Sequence, residues 1–281
     1  MRGPPHRTRD RLGNRDPTVR GASSEEGIAR TYPAAVSGRL YVGTSGFAYP
    51  GWSPRFYPPG LRASGFLDYY GRQLPACELN NTFYQQPSEA KIQSWLAATP
   101  SEFRFAVKAQ KGGSMRALLS DPQGSVAWLT TPYRLFGERL GAVLFRVPAN
   151  VTRDDERLAH LLAWWPRDLP LVMEFQDPSW HVDETFELLR GARAALCATE
   201  LPDSQAAPSL VVTGPFLYLR LRRPGYKAED IAAWADRIVP FLDDGLDAFA
   251  LFRHDETGQT PAFALALRSG IAARLGRSIG A

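Results

Sequence analysis

Cysteine is scarce in this chain of 281 residues. There are two, Cys77 and Cys197, each inside an apolar run, with no CxxC partner and no histidine nearby. That argues against a disulfide framework and leaves two buried free thiols as the expectation. Lysine is scarce as well: Lys91, Lys108, Lys111 and Lys227 stand against 29 arginines. No apolar run approaches the ~20 residues of a membrane span. The N-terminus lacks an apolar core followed by a small-residue cleavage site, so a cytoplasmic protein with no membrane partner is expected. GxGxxG, GxxxxGK[ST] and HExxH are all missing, so neither a nucleotide cofactor nor a zinc site is predicted.

The net charge of +4 is unevenly placed. Residues 1–37 carry seven arginines against four acids, among Pro, Gly and Ser, with almost no apolar periodicity. Such a segment cannot bury enough surface to offset its ordering entropy and is expected to be a disordered tail. A basic arm for nucleic acid or an acidic membrane surface is the functional alternative, a dispensable extension the plain one. The remaining body, 38–281, is nearly neutral, which disfavours nucleic acid as its partner.

From Leu40 onward, short apolar runs alternate with helical patterns. Strands are predicted at Tyr41–Ser45, Ala76–Asn80, Arg104–Lys108, Ala142–Val147, Leu171–Phe175, Ala194–Ala198, Phe216–Leu221 and Ala248–Phe252. Helices are predicted at Gly65–Leu74, Ser88–Ala98, Tyr133–Leu140, Asp154–Trp165, Asp183–Arg190, Glu229–Asp243 and Pro261–Leu275, with Ser88 and Asp183 as N-caps. Pro202–Gly214 reads as a loop, so one helix is missing or reduced after the sixth strand. Repeated strand-then-helix order predicts a parallel sheet, and eight units predict an α/β fold of the (β/α)₈ TIM-barrel type. A doubly wound open sheet is the alternative, disfavoured by the missing glycine fingerprints.

Buried parallel strands should be almost continuously apolar. These are, until their last residues: Glu78 and Asn80, Lys108, Arg146, Glu174, then Arg220 and Arg222. His254 follows the eighth run. Side chains alternate with period two, so these residues share one face of each strand while Leu79, Val107, Phe175 and Leu221 take the other. The ionisable face then converges on the barrel axis at its C-terminal end, where barrel enzymes place their chemistry. A closed salt-bridge network of Glu78 and Glu174 with Lys108 and Arg220 is the purely structural alternative. In a chain that defaults to arginine, a strand-end lysine points to a group whose pKa can be shifted.

The first βα loop, GTSGFAYPGWS at 43–53, contributes Ser45 and Trp52, with Phe47, Tyr49, Phe56 and Tyr57 around them. It reads either as a stacking wall for a sugar or base, or as a packing lid. Trp180 has the same two readings. His181 reads as a loop residue or a general base, and His160 as a surface helix residue. Asp177 could join Glu174 around a divalent cation, although no cluster with metal-ligand spacing is present.

Several ordered motifs carry a resemblance: GTSGF at 43–47, FYPPGL at 56–61, ELNNTFY at 78–84, FRFAVK at 103–108, LGAVLF at 140–145, EFQDPSW at 174–180 and YLRL at 218–221. Together they resemble the YecE-like family, domain of unknown function 72, over roughly residues 40–268. The resemblance implies a TIM barrel and implies no defined activity. Glu78, Asn80, Lys108, Glu174, Trp180 and Arg220 stand as it would lead one to expect. The chain departs from the family pattern at Arg146, at Gln176-Asp177, near Arg222 and at Phe263.

The leading expectation is an enzyme (hydrolase, isomerase or lyase) acting on a small anionic or sugar-like substrate. Glu78, Lys108 and Glu174 would be catalytic: the carboxyls as acid and base, Lys108 as an oxyanion or carbonyl partner. Ser45, Trp52, Asn80, Arg146, Asp177, Trp180, Arg220, Arg222 and His254 would bind substrate. The alternatives are a nucleic-acid-binding protein and a metal-dependent phosphodiesterase using Glu78, Glu174 and Asp177.

Overall fold

In the computed structural model, which describes residues 37–203 and 206–277, eight parallel strands close into a barrel in chain order. They are β1 (Leu40–Ser45), β2 (Ala76–Leu79), β3 (Arg104–Lys108), β4 (Leu140–Val147), β5 (Leu171–Phe175), β6 (Ala195–Glu200), β7 (Phe216–Leu221) and β8 (Asp247–Phe252). All eight predicted runs are strands. β6 runs further than its apolar stretch because Thr199 and Glu200 pair with Arg220 and Leu221 of β7. The segment expected to be a disordered tail lies, apart from Ser37, outside the described residues.

The helices are α1 (Phe66–Gln73), α2 (Glu89–Ala97), α3 (Lys111–Leu119), α4 (Pro122–Tyr133), α5 (Asp155–Trp164), α6 (Asp183–Ala192), α7 (Ala228–Asp243) and α8 (Thr260–Leu275). Their spacing is uneven. Two helices, α3 and α4, follow β3, and among the described residues none follows β6. The sequence pattern predicts a single helix at Tyr133–Leu140. That stretch is instead a 3₁₀ turn, Arg134–Arg139, broken at Gly137 where φ is +54°. Both real helices escape periodicity because Gly112 and Gly113 dilute the first and the second is apolar on several sides. Their starts are set by caps: Gln110 accepts from Gly113 N, and Asp121 accepts from Gly124 N with Pro122 in the first turn. Ser88 caps α2 as expected. Asp183 does not cap α6: Val182 holds that position and Asp183 is the first helical residue, where its charge still favours the helix dipole.

Two apolar layers result. One lies between strands and helices. The other fills the barrel, with Tyr41, Leu144, Val172, Phe216, Tyr218, Phe249 and Leu251 among small alanines. Tyr41 and Phe249 stack at 4.7 Å, and Arg104 covers Tyr41 from the N-terminal end. That end is therefore plugged with rings, and polar side chains are displaced to the opposite rim. The β1–β2 approach depends on Gly43, where an added Cβ would lie 1.8 Å from the Ala76 carbonyl oxygen. Among the described residues no helix is long and apolar enough to cross a membrane.

Candidate functional site at the barrel mouth

The inward face of each strand is the one the period-two pattern predicts. Register pairs Ser45 with Glu78, Arg146 with Glu174, and Thr199 with Arg220, all near the C-terminal rim. Arg220, only 3% exposed, is the centre of the site. Its Nη1 donates to both oxygens of Glu174, at 2.7 and 2.9 Å, and its Nη2 donates to Glu78 Oε1 at 2.7 Å. One guanidinium thus joins β2, β5 and β7 across the mouth.

The carboxylates are further held by neutral donors. Ser45 Oγ donates to Glu78 Oε1 at 3.0 Å and accepts from Asn80 Nδ2 at 2.9 Å. The Tyr218 hydroxyl donates to Glu78 Oε2 at 3.1 Å, and Thr199 Oγ1 donates to Glu174 Oε1 at 3.0 Å. Tyr218 and Thr199 were not singled out from the sequence. For Tyr218 the available signal is parity, since it lies two residues before Arg220; the sixth strand offers no inward ionisable residue from which to place Thr199.

Burial opposes ionisation of Glu78, but Arg220 and then Lys108 outweigh it, so its pKa lies below the ordinary range. Burial likewise opposes ionisation of Glu174, and Arg220 again prevails, leaving it lowered. Both carboxyls are therefore held in their ionised form. Lys108 behaves oppositely. Burial pushes its pKa down, and the attraction of Glu78 only partly restores it. Its ammonium lies over the Phe83 ring, 4.5 Å from the centroid.

The remaining cations have little opposing charge. Arg146 Nε is 3.7 Å from Glu174 Oε2 and is buried without a hydrogen-bond partner. Lys108 and Arg222 make no ion pair within 4.0 Å among the described residues. Burial, and then the charge of Arg220, depress the pKa of Arg222. Two carboxylates thus face four cations, Lys108, Arg146, Arg220 and Arg222.

His254 stacks on Tyr49 at the rim, with centroids 4.7 Å apart and planes 7° from parallel. Its Nδ1 is buried without a partner, and burial lowers its pKa. Burial also raises the Tyr49 pKa to about 12, and its hydroxyl donates to the Ser45 carbonyl oxygen.

Three residues expected to touch substrate are placed elsewhere. Trp52 is fully buried, and its Nε1 donates to the Asp255 carbonyl oxygen at 2.7 Å. It packs edge-on against Phe56, and Tyr57 stacks on Phe66. The aromatic loop is thus a packing lid, because its rings satisfy one another and leave Trp52 no free face. Trp180 is also fully buried, stacked on Phe175, with Nε1 donating to the Val151 carbonyl oxygen. Asp177 accepts from Ser179 N at 2.9 Å, capping the turn Pro178–Trp180. Arg220 fills the space between Glu78 and Glu174, and among the described residues no three His, Cys, Asp or Glu side chains converge to hold a metal ion. His181 is exposed, with Nε2 3.3 Å from the Phe175 carbonyl oxygen, and His160 is exposed on α5. Two hollows flank the mouth. One of about 450 Å³ adjoins Arg146, Phe83 and Lys111, and one of about 610 Å³ adjoins Glu174 and Thr199.

Eight parallel strands closed in chain order, with ionisable side chains gathered at one rim, define a (β/α)₈-barrel protein with a charged mouth. The chain belongs to the family described as protein of unknown function DUF72, which it matches over residues 41–277. It is similar to UPF0759 protein YunF of Bacillus subtilis, with 28% identity over 158 residues. That match covers 53% of this chain and 54% of the relative, so it spans about half the relative's length. A DUF72 family protein from Thermotoga maritima superposes with a TM-score of 0.72 at 25% identity, covering 85% of this chain and 100% of that one. A DUF72 family protein from Enterococcus faecalis shares the fold, with a TM-score of 0.67 at 20% identity over 87% of this chain and 100% of that one.

Proposed function

We propose that the protein is an enzyme acting on a small anionic substrate held at the barrel mouth. The observation that carries this reading is the forked pairing of Arg220. One guanidinium neutralises part of both carboxylates, and Lys108, Arg146 and Arg222 remain as cations in excess of the acids around them. A surplus of positive charge that is buried at Lys108 and half-buried at Arg146 and Arg222 is costly unless an anion completes it. Arg146 Nε, buried and without a hydrogen-bond partner among the described residues, is a donor such an anion would satisfy.

Within this reading Lys108 is the proton-transfer group, because its lowered pKa makes its neutral form easier to reach. Glu78 and Glu174 hold Arg220 in place as carboxylates. Asn80 and Ser45 orient the Glu78 carboxylate. The held ionisation of both carboxyls disfavours glycoside hydrolysis, which needs one of the two protonated.

Titration with inorganic phosphate and with a small dicarboxylate at low salt, followed by calorimetry and thermal shift, tests the reading. Wild type should bind at least one of the two, and K108M and R222M should each weaken that binding about tenfold or more. Equal affinity in all three proteins would sink the assignment. A screen of small phosphate and carboxylate compounds for turnover, with K108M as the inactive control, then addresses the reaction.

A further inference from the structure

The barrel is not evenly closed. β5 and β6 pair only at Val172 with Ala195 and at Met173 with Leu196. Above that point β5 still pairs with β4 as far as Phe175, and β6 pairs with β7 from Cys197 to Glu200. Glu174 and Phe175 on one side therefore have no ladder partner across the seam. The connection from β6 to β7 carries no helix among the described residues, and its Leu210 and Val211 pack against the core while only partly buried.

The cavity of about 610 Å³ lies at this parted seam. Its wall is formed largely by Phe175, Phe186, Leu196, Ala198 and Val211, and it reaches Glu174 and Thr199, whose side chains belong to the barrel interior. One hollow is thus apolar on its helix side and borders Glu174 and Thr199 of the charged mouth on the other. Its volume falls within the roughly 300–1,000 Å³ of small-molecule sites, which are lined mainly by apolar groups with a few polar ones.

We infer that the seam cavity is the compartment for an apolar group of the substrate, whose anionic group sits at Lys108, Arg146 and Arg222. The substrate class is therefore an amphipathic anion, with a ring or short hydrocarbon next to the charge. This inference rests on the anion reading of the mouth. The geometry behind it is the shared wall: Glu174 contacts Arg220 and Arg146 on its mouth side and borders the cavity on the other. A single molecule reaching from the cations into the cavity passes between Glu174 and Thr199, where no strand ladder stands and only the Thr199–Glu174 side-chain hydrogen bond has to part.

Three probes separate the two parts. Inorganic phosphate carries only the charge, 1-naphthol only the rings, and 1-naphthyl phosphate both. In wild type, 1-naphthyl phosphate should bind at least about tenfold more tightly than phosphate, given the apolar area it would bury. The substitution Ala198→Trp fills the cavity from β6, and Ser209→Trp fills it from the β6–β7 loop, so the second keeps the test if the first does not fold. In both, the ratio of the two affinities should fall towards one. A ratio near one in wild type, or one that survives both substitutions, overturns the cavity assignment. Binding of 1-naphthol without binding of either phosphate overturns the anion reading instead. Failure of all three probes overturns both.

Discussion

The Lys108 ammonium lies 4.5 Å from the centre of the Phe83 ring and, among the described residues, pairs with no carboxylate within 4.0 Å. The ring is not there by chance of a mobile loop. Thr82, one residue earlier, donates its hydroxyl to the Lys108 carbonyl oxygen at 2.8 Å, which ties the turn after β2 to the end of β3.

A group so placed should cost stability in its charged form. The Lys108 pKa is lowered from 10.5, so the folded state disfavours the proton that the unfolded chain keeps. The stability that Lys108 contributes is present above its unfolded pKa and is lost as pH falls through the folded value. At pH 7 the penalty is in force. K108M is expected to melt no lower than wild type, and to rise by about 2–4 °C if ~1 kcal/mol is relieved. Its advantage should shrink as pH approaches 10. A loss of several degrees at pH 7 in calorimetry would contradict this.

Arg220→Met should act in the opposite direction. It leaves Glu78 and Glu174 buried without their shared counterion, at a cost of about 3–5 kcal/mol. In wild type both pKa values are lowered, so their contribution is present above about pH 4.5 and is lost as pH falls through the lowered values. Without Arg220, burial is the larger influence on both and raises them. R220M should then become more stable between pH 7 and pH 5, where wild type stays level. Melting curves across that range decide the sign.

Trp180→Phe separates packing from binding. Trp180 is fully buried, and its lost Nε1 would leave the Val151 carbonyl oxygen without a donor. A loss of about 1–3 kcal/mol is expected. Phosphate affinity should match wild type, and a tenfold loss of affinity would return Trp180 to the site.

The barrel was legible because strand order and apolar runs are local properties, and parity places Glu78, Lys108, Glu174 and Arg220 on one face without any knowledge of their neighbours. What parity cannot supply is pairing. That Arg220 would serve both acids, rather than one acid meeting Lys108, depends on how far strands are staggered across the barrel. The fates of Trp52, Trp180 and Asp177 were hidden for another reason: loops place their side chains through contacts such as Trp52 with the Asp255 carbonyl, over two hundred residues away along the chain. α3 and α4 escape a periodicity reading because side-chain caps mark their starts and glycines inside α3 weaken its pattern.

The forked guanidinium also bears on time. Arg220 and Glu78 are 142 positions apart, and Arg220 and Glu174 are 46 apart. Contacts that close such long loops form late in folding, after the entropy of closure has been met by others. Interactions absent from the transition state slow unfolding and leave folding rates nearly unchanged. In stopped-flow denaturant jumps, R220M should therefore show a steep rise in its unfolding rate with refolding close to that of wild type. The charge cluster that marks the mouth would then set the lifetime of the closed barrel, acting as its clasp.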